Sequence, residues 1–543
     1  MKYRMQDNLD PISLTVLQRR LESVADEMSL VLKKTAYSPN IKERADFSCA
    51  IFDKSGDMVA QAEAIPVHLG SMPFVAKPII SKFQNWKEGD AVITNSPRSE
   101  YGGTHLPDIT LVAPVFHKGE FTHVIANRAH HADVGGMTPG SLPANSTEIF
   151  QEGLIIPPVF LYKNGVENSD IMNIILENVR TPEERLGDLR AQYSSLMLGV
   201  RRMKKLMDDN PNWNIQLMQA HLQKQAEEGT RNKIATLPIK KVEYTDYLDN
   251  DGINLDEPVK IHVSIEVTSE GDLVIDFNGS DNERKGNCNA PLSVTTSACY
   301  YLLRLLTGRD VPSNSGCYKP VKIIAPEASV INPTRNSATS SANTETSSRI
   351  VDVLMGAMKQ IIPWPSASQG TMNNLLIGGI HKGKPWSIYE TIGGGTGAGP
   401  DGAGTSAIQS HMTNTENTPI EALELSYPLR VREYSIRRNS GGKGEFNGGD
   451  GIVRDIQLLD EATITLQSER RKFKPWSQGN AEMGKSGINK FLVPIIDNDK
   501  IKNINEYDIQ ILSSRITLVN AKKNSRIRIL TPGGGGYNSS PEV

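Results

Sequence analysis

The chain has 543 residues, which at roughly 150 residues per domain predicts three or four packing units, and its 59 Lys+Arg against 62 Asp+Glu leave a net charge of -3. That balance supplies no positive field for nucleic acid or anionic lipid, 38% hydrophobic with 22% charged residues describes a folded globule, and no run approaches the ~20 apolar residues that cross a bilayer. The opening MKYRMQDNLD has no apolar signal segment and the four cysteines form no C-x-x-C pair, so a soluble cytoplasmic protein without a nucleic-acid or membrane partner is expected.

Asp10-Pro11 reads as an N-cap and first helical position, and Ile12, Val16, Leu17, Leu21, Val24, Met28 and Val31 keep helical spacing. From Arg44 to Pro158 the chain is dense in His, Asp, Gly and Pro, with strand-like pieces at Ile109 to Val115 and Thr122 to Ala126. Thr181-Pro182-Glu183-Glu184 resembles a capping box, and the helix it opens carries Leu186, Leu189, Tyr193, Met197, Val200 and Met203, with a basic run Arg201 to Lys205 suited to its C-terminus. Val259, Ile261, Val263, Ile265 and Val267 alternate, and Leu273, Ile275 and Phe277 continue the same parity beyond a turn, which predicts a hairpin with one buried face. A helix around Arg349 to Ile361 stops before Pro363, and short alternating runs between glycine-rich turns fill the end of the chain. The expected fold is α+β and multi-domain: a metal-bearing part over 1–240, a mixed α/β part over 241–430 and a β-rich part over 431–543.

Chemistry concentrates in Gly102-Gly103-Thr104-His105-Leu106-Pro107-Asp108 and in Asn127-Arg128-Ala129-His130-His131-Ala132-Asp133. Imidazole and carboxylate are the usual ligands of a catalytic divalent ion, so His105 and Asp108, three apart in a Pro-stiffened segment, could share one coordination shell that His130 rejoins after a hairpin. On spacing alone, surface polarity or a hydrogen-bonded loop staple is the alternative. Asp46 is a further oxygen donor or an ion-pair partner of Arg44, and His68 adds an imidazole near a strand end. Two nucleotide-like strings fail their context. Gly397, Gly399 and Gly402 match G-x-G-x-x-G without opening a helix, so a close backbone approach to another chain or to substrate is expected instead. Gly479 to Ser486 matches G-x-x-x-x-G-K-[ST], but Pro475-Trp476 precedes it and Ile488 to Val493 reads as strand, so a surface turn is expected.

In order along the chain, Glu43-Arg44-Ala45-Asp46-Phe47-Ser48, Val67-His68-Leu69-Gly70-Ser71, the two histidine motifs, Gln151-Glu152-Gly153-Leu154, Asn343-Thr344-Glu345-Thr346-Ser347, Asn417-Thr418-Pro419-Ile420-Glu421, Tyr427-Pro428-Leu429-Arg430 and Pro532-Gly533-Gly534-Gly535-Gly536-Tyr537 resemble the hydantoinase B/oxoprolinase family. The resemblance implies a divalent metal, Zn or Mn, held by Asp46, His105, Asp108 and His130. It matches no role to His131, Asp133, His68 and Glu148, which stand as catalytic or proton-transfer candidates by residue type, and Arg44 is a candidate to hold an anionic intermediate or to form a structural ion pair. It also implies a hetero-oligomer in which a hydantoinase A-type partner binds ATP/Mg and phosphorylates a cyclic amide that this chain then hydrolyses. Ketone carboxylation and a non-catalytic scaffold with a structural metal are the alternatives. Two departures from the family pattern bear on substrate or partner contact: Asn95-Ser96-Pro97-Arg98 before the first histidine motif, and Gly397-Ala398-Gly399 in the glycine cluster.

Overall fold

Asp10 caps the first helix through both carboxylate oxygens, which accept from Ile12 N at 3.2 Å and Ser13 N at 3.0 Å, and Pro11 takes the first helical position of α1 (Pro11–Thr35). The computed structural model describes residues 9–62, 65–497, 500–501 and 507–538. Leu14, Leu17, Leu21, Val24, Met28 and Leu32 form the buried stripe of α1.

Helices α2 (Pro39–Lys42), α3 (Ser71–Lys82), α4 (Ser169–Glu177), α5 (Pro182–Asp209) and α6 (Ile215–Ala235) accompany seven strands: β1 (Phe47–Asp53), β2 (Met58–Gln61), β3 (Ala91–Thr94), β4 (Asp108–His117), β5 (Glu120–His130), β6 (Val159–Lys163) and β7 (Val166–Glu167). The strands form one sheet in the order β2-β1-β5-β4-β3-β6-β7. Its centre is buried on both faces, so burial along β4 and β5 is nearly continuous rather than alternating, and in β4 the sequence follows it with an apolar run from Leu111 to Phe116. The expected cap of α5 does not form: Thr181 makes no side-chain bond to the helix and its Oγ1 is buried without a partner, leaving Pro182, Glu183 and Glu184 to start the helix. Leu206 and Met207 extend the buried stripe, so α5 passes the basic run and ends at Asp209.

The alternating segments pair as predicted. Strands β8 (Lys241–Leu248), β9 (Val259–Val267), β10 (Leu273–Asp276) and β11 (Val321–Ile324) form a sheet in the order β11-β10-β9-β8, with Leu273 opposite Val267 and Ile275 opposite Ile265. Helices α7 (Leu292–Thr307), α8 (Ser315–Tyr318) and α9 (Ser347–Met358) pack with it, and every residue of α9 is buried. A π-helical turn, Ala342–Thr346, leads directly into α9.

The remaining strands, with one short helix, are β12 (Asn374–His381), β13 (Lys384–Glu390), α10 (Ile420–Ser426), β14 (Leu429–Arg437), β15 (Gly451–Leu458), β16 (Ala462–Gln467), β17 (Ile488–Pro494), β18 (Ile496–Asp497), β19 (Lys500–Ile501), β20 (Tyr507–Leu512), β21 (Arg515–Ala521) and β22 (Arg526–Leu530). They build two larger antiparallel sheets, β13-β12-β16-β21 and β14-β15-β22-β17-β20, which completes a mixed α+β multi-domain fold. Among the described residues no helix is long and apolar enough to cross a membrane, and all four cysteines are free and buried.

The glycine cluster does make a close backbone approach, and the partners shown are other segments of this same chain. Gly395 N donates to Pro532 O at 3.1 Å, Ala398 N to Gly535 O, Gly449 N to Thr396 O and Gly534 N to Gly449 O at 2.9 Å each. The second nucleotide-like string is drawn into the same packing: Glu482 N donates to Lys443 O at 2.7 Å, Lys485 N to Ser440 O at 2.8 Å, and β17 rather than a helix follows. Amides that a phosphate loop would aim at its ligand are thus spent on backbone carbonyls.

A Cβ on Gly534 would lie 1.9 Å from Thr396 O, an approach only a backbone shift relieves. Gly534→Ala is therefore expected to lower stability by at least about 3 kcal/mol, read as a drop in denaturation midpoint. A second expectation concerns acid. His123, on β5, faces Gln219 of α6 at 3.2 Å, and burial depresses its pKa to about 4 against 6.5 for a free imidazole. Its folded pKa lies below the unfolded value, so its contribution is complete above about pH 6.5 and is lost as pH falls through about 4, amounting to about 3 kcal/mol. Unfolding midpoints measured from pH 7 to pH 4 should fall less steeply in His123→Gln than in the parent chain.

Candidate metal centre

Antiparallel registry assembles the site at one end of the seven-stranded sheet. In the β4/β5 pair Asp108 lies opposite His130, and in the β1/β5 pair Phe47 lies opposite Ala129. Asp46, just before β1, therefore meets His130, whose N–H donates to Asp46 O at 3.0 Å. His105 reaches the same point because the tight Leu106-Pro107 segment returns the Asp108 N–H to His105 O at 3.2 Å. His105, Asp108 and His130 each offer a ligand atom, and these atoms lie within 4.8 Å of one another. Asp46 lines the adjoining cavity, outside that group, with its Oδ2 at 3.9 Å from Arg44 Nη2.

Four polar groups converge on Asp108 Oδ2. The Thr104 hydroxyl donates to it, Asn343 Nδ2 donates at 3.2 Å, and the Nε2 atoms of His105 and His68 stand at 3.4 and 3.5 Å. Burial pushes the Asp108 pKa up, but His105 and His68 outweigh it and hold the carboxyl well below its usual range. Burial likewise opposes the charge on His105, yet Asp108 overcomes it and raises the pKa. Burial dominates at His68, which is lowered despite Asp108, and at His130, lowered well below the usual value with His105 adding repulsion. Burial lifts the Asp46 carboxyl to about 7, Arg44 and His105 acting against it and Asp108 with it.

Ring orientation is set from outside the cluster. His105 Nδ1 sits 3.3 Å from Ser340 O; a carbonyl only accepts, so Nδ1 carries the proton and Nε2 presents its lone pair inward. Glu152 fixes that carbonyl's loop by accepting from Thr339 N and Ser340 N at 3.0 Å. Asn40 Nδ2 lies 3.2 Å from His130 Nδ1, and Asn40 Oδ1 accepts from Arg44 Nη1 at 3.2 Å, which fixes the amide beside that ring. Asp108 Oδ1 and His130 Nε2 are buried without any hydrogen-bond partner. Both are atoms that bind divalent ions, they lie in one cluster, and an imidazole/carboxylate set of this kind suits Zn or Mn, so the residues fit a divalent cation.

The cavity beside the cluster measures about 20 Å³, close to one water molecule, and Ile65, Val67, Met372 and Met412 supply its apolar lining. His68, His130, Asn343, Thr344, Thr391 and Thr413 supply polar lining. Arg44 stays behind the wall: Nη1 donates to Tyr389 O at 2.7 Å and to Asn40 Oδ1 at 3.2 Å, and Nη2 donates to Thr391 Oγ1 at 3.1 Å. His131 turns the other way, its Nε2 at 2.9 Å from Gln192 Oε1 of α5. Asp133 is occupied by Gly135 N, Gly140 N and Arg180, the last at 2.9 Å, and Glu148 is exposed ahead of the 3-10 turn Ile149–Gln151. The structure thus brings Asp46, His68, His105, Asp108 and His130 together and leaves Arg44, His131, Asp133 and Glu148 around them. Sequence reasoning assigned no role to Thr104, Glu152, Asn343 or Tyr389; the motif strings containing the first three were the available signal, and nothing marked Tyr389.

The hydantoinase B/oxoprolinase family model matches residues 10–540. A 5-oxoprolinase of Dictyostelium discoideum is 39% identical over 98% of this chain, which spans only 41% of that protein's length. A Pseudomonas sp. (strain NS671) protein, provisionally named as a component of a D-/L-hydantoinase, is 29% identical, with 98% of this chain and 91% of that one covered. The ATP-dependent caprolactamase of Pseudomonas jessenii superposes with a TM-score of 0.87 at 26% identity, covering 98% and 92% of the two chains. With a family match over almost its whole length, this chain belongs to the hydantoinase B/oxoprolinase family.

Proposed function

We propose that this chain is the metal-bearing component of an ATP-dependent cyclic-amide hydrolase, acting on a hydantoin, 5-oxoproline or another lactam whose amide oxygen a hydantoinase A-type partner has phosphorylated with ATP/Mg. The observation that carries this reading is the buried His105–Asp108–His130 group with two unpartnered ligand atoms, opening on a small, largely apolar cavity. The likeness to a bacterial hydantoinase component supports the partner, and four free, buried thiols suit a reducing cytoplasm.

A divalent ion held by Asp46, His105, Asp108 and His130 supplies, when bound, Lewis-acid polarisation and a water of lowered pKa. Asn343 and Thr104 keep Asp108 Oδ2 saturated, so Oδ1 is the oxygen left for the cation. His68 is the group placed to move a proton in the cavity: burial keeps it neutral, and Ser48 Oγ, 2.7 Å from Nδ1, fixes its ring. Ile65, Val67, Met372 and Met412 border the cavity and exclude bulk water. Arg44, His131 and Asp133 act in this scheme as the frame that holds the cavity walls.

The purified chain is expected to hold about one divalent ion by mass spectrometry, and His105→Ala and Asp108→Ala to lose it. Co-expressed with its hydantoinase A-type partner, it should open a lactam only with ATP, while the isolated chain shows no ATPase activity. His68→Gln should keep the ion but lower turnover about 100-fold or more. Incorporation of labelled bicarbonate into a ketone, without lactam turnover, would move the assignment to carboxylation.

A further inference from the structure

Tyr389, on β13, comes from a different sheet than the metal-ligand candidates, yet its ring stacks on His130 with centroids 4.7 Å apart and planes 26° from parallel. The Arg44 guanidinium carbon lies 4.5 Å from the same ring's centroid. The phenol is buried and committed: Oη donates to Asn374 Oδ1 at 2.8 Å, and Asn374 Nδ2 donates to Glu345 Oε1 at 2.7 Å. Glu345 Oε1 also accepts from Met372 N at 3.1 Å, and Met372 is part of the cavity wall.

Glu345 and Asn343 belong to one π-helical turn. Asn343 donates to Asp108, and Asp108 lies opposite His130 in the β4/β5 pair, so the contacts close a circuit from His130 through Tyr389, Asn374, Glu345, Asn343 and Asp108 back to His130. An insertion of this kind in a helix start costs regular hydrogen bonding and recurs where side chains must be re-aimed at a functional site. Bulk alone would be met by phenylalanine; a buried hydroxyl with its own relay serves orientation.

We propose that Tyr389 is a positioning residue of the metal centre: its ring sets the plane of the His130 imidazole, and the Tyr389–Asn374–Glu345 chain locks that ring to the turn that aims Asn343 at Asp108. The inference rests on the metal reading above. It states how two parts of the chain that share no strand pairing are held in register at the cation.

The test uses the full chain loaded with Co²⁺, following affinity by competition titration and coordination by the visible d–d bands. Tyr389→Leu should weaken Co²⁺ binding about 10–100-fold and shift the bands, as losing an outer partner of a ligand does. Tyr389→Phe keeps the stack and should retain the band positions while losing about 3–10-fold in affinity, the worth of one hydrogen bond. Parent-like affinity and bands in a folded Tyr389→Leu overturn the proposal. Should that variant not fold, Tyr389→Phe decides alone, and affinity within about twofold of the parent overturns it. A parent chain that binds no Co²⁺ sinks the metal reading and this inference with it; parent binding unchanged by either substitution sinks this inference only.

Discussion

Asp108 carries its charge where only 1% of its surface meets solvent, and an ionised carboxylate in that position costs several kcal/mol unless donors and opposite charge surround it. The site is organised around that cost. Two imidazoles, a hydroxyl and an amide crowd one oxygen, and the other is left bare. Asp46 brings a second carboxyl to the same cavity, pushed to about 7 by burial with Asp108 adding to the rise. Arg44, the fixed cation nearest Asp46, spends most of its donors on carbonyl and hydroxyl oxygens. Asp46, His68 and His130 face one small space with Asp108 beside it, and burial holds those two imidazoles toward the neutral form, so the unmet demand there is for positive charge.

The sheet meets the geometric half of the problem cheaply. Because β1, β5 and β4 are adjacent and antiparallel, the start of β1, the end of β5 and the start of β4 coincide, and three candidate ligands spread over more than eighty positions arrive at one edge. What the sheet cannot do is orient rings and carboxylates. That falls to elements outside it: Ser340 and the π turn before α9 for His105 and Asp108, the β12–β13 hairpin for His130. A hairpin tied to the β-rich sheets thus forms a wall of a site whose ligands sit on another sheet.

This division explains what could be read from the sequence. The opening helix, the β9–β10 hairpin and α9 follow from caps and periodicity, which are local, and the His105/Asp108/His130 grouping follows from a hairpin that returns one strand beside the other. Asn343 and Tyr389 were illegible as site residues because no local pattern distinguishes an amide aimed at a carboxylate 235 positions away, or a phenol ring stacked on a distant imidazole, from one in an ordinary core. His131 misleads for the opposite reason: adjacency to His130 on the chain points its ring to the other side, toward Gln192. The failed cap at Thr181 is a case of tertiary packing taking a hydroxyl out of reach of its helix.

The glycine segments complete the physical case for shared labour in the proposed reaction. Phosphoryl transfer from ATP asks for unpaired amides or cations that can follow a polyanion, in contact with water and Mg. Opening an activated ring asks for the reverse: a dry space, few mobile charges and tightly held acid–base groups. Here the backbone stretches that looked most like phosphate binders are packed against each other, Gly395 on Pro532, Gly534 on Gly449, Lys485 on Ser440, so closely that several tolerate no side chain at all. Their amides are unavailable to a nucleotide, while the cavity beside Asp108 has the apolar walls and fixed imidazoles that the second step requires. A single fold built this way favours the ring-opening half of the chemistry, and the proposed partner supplies the other.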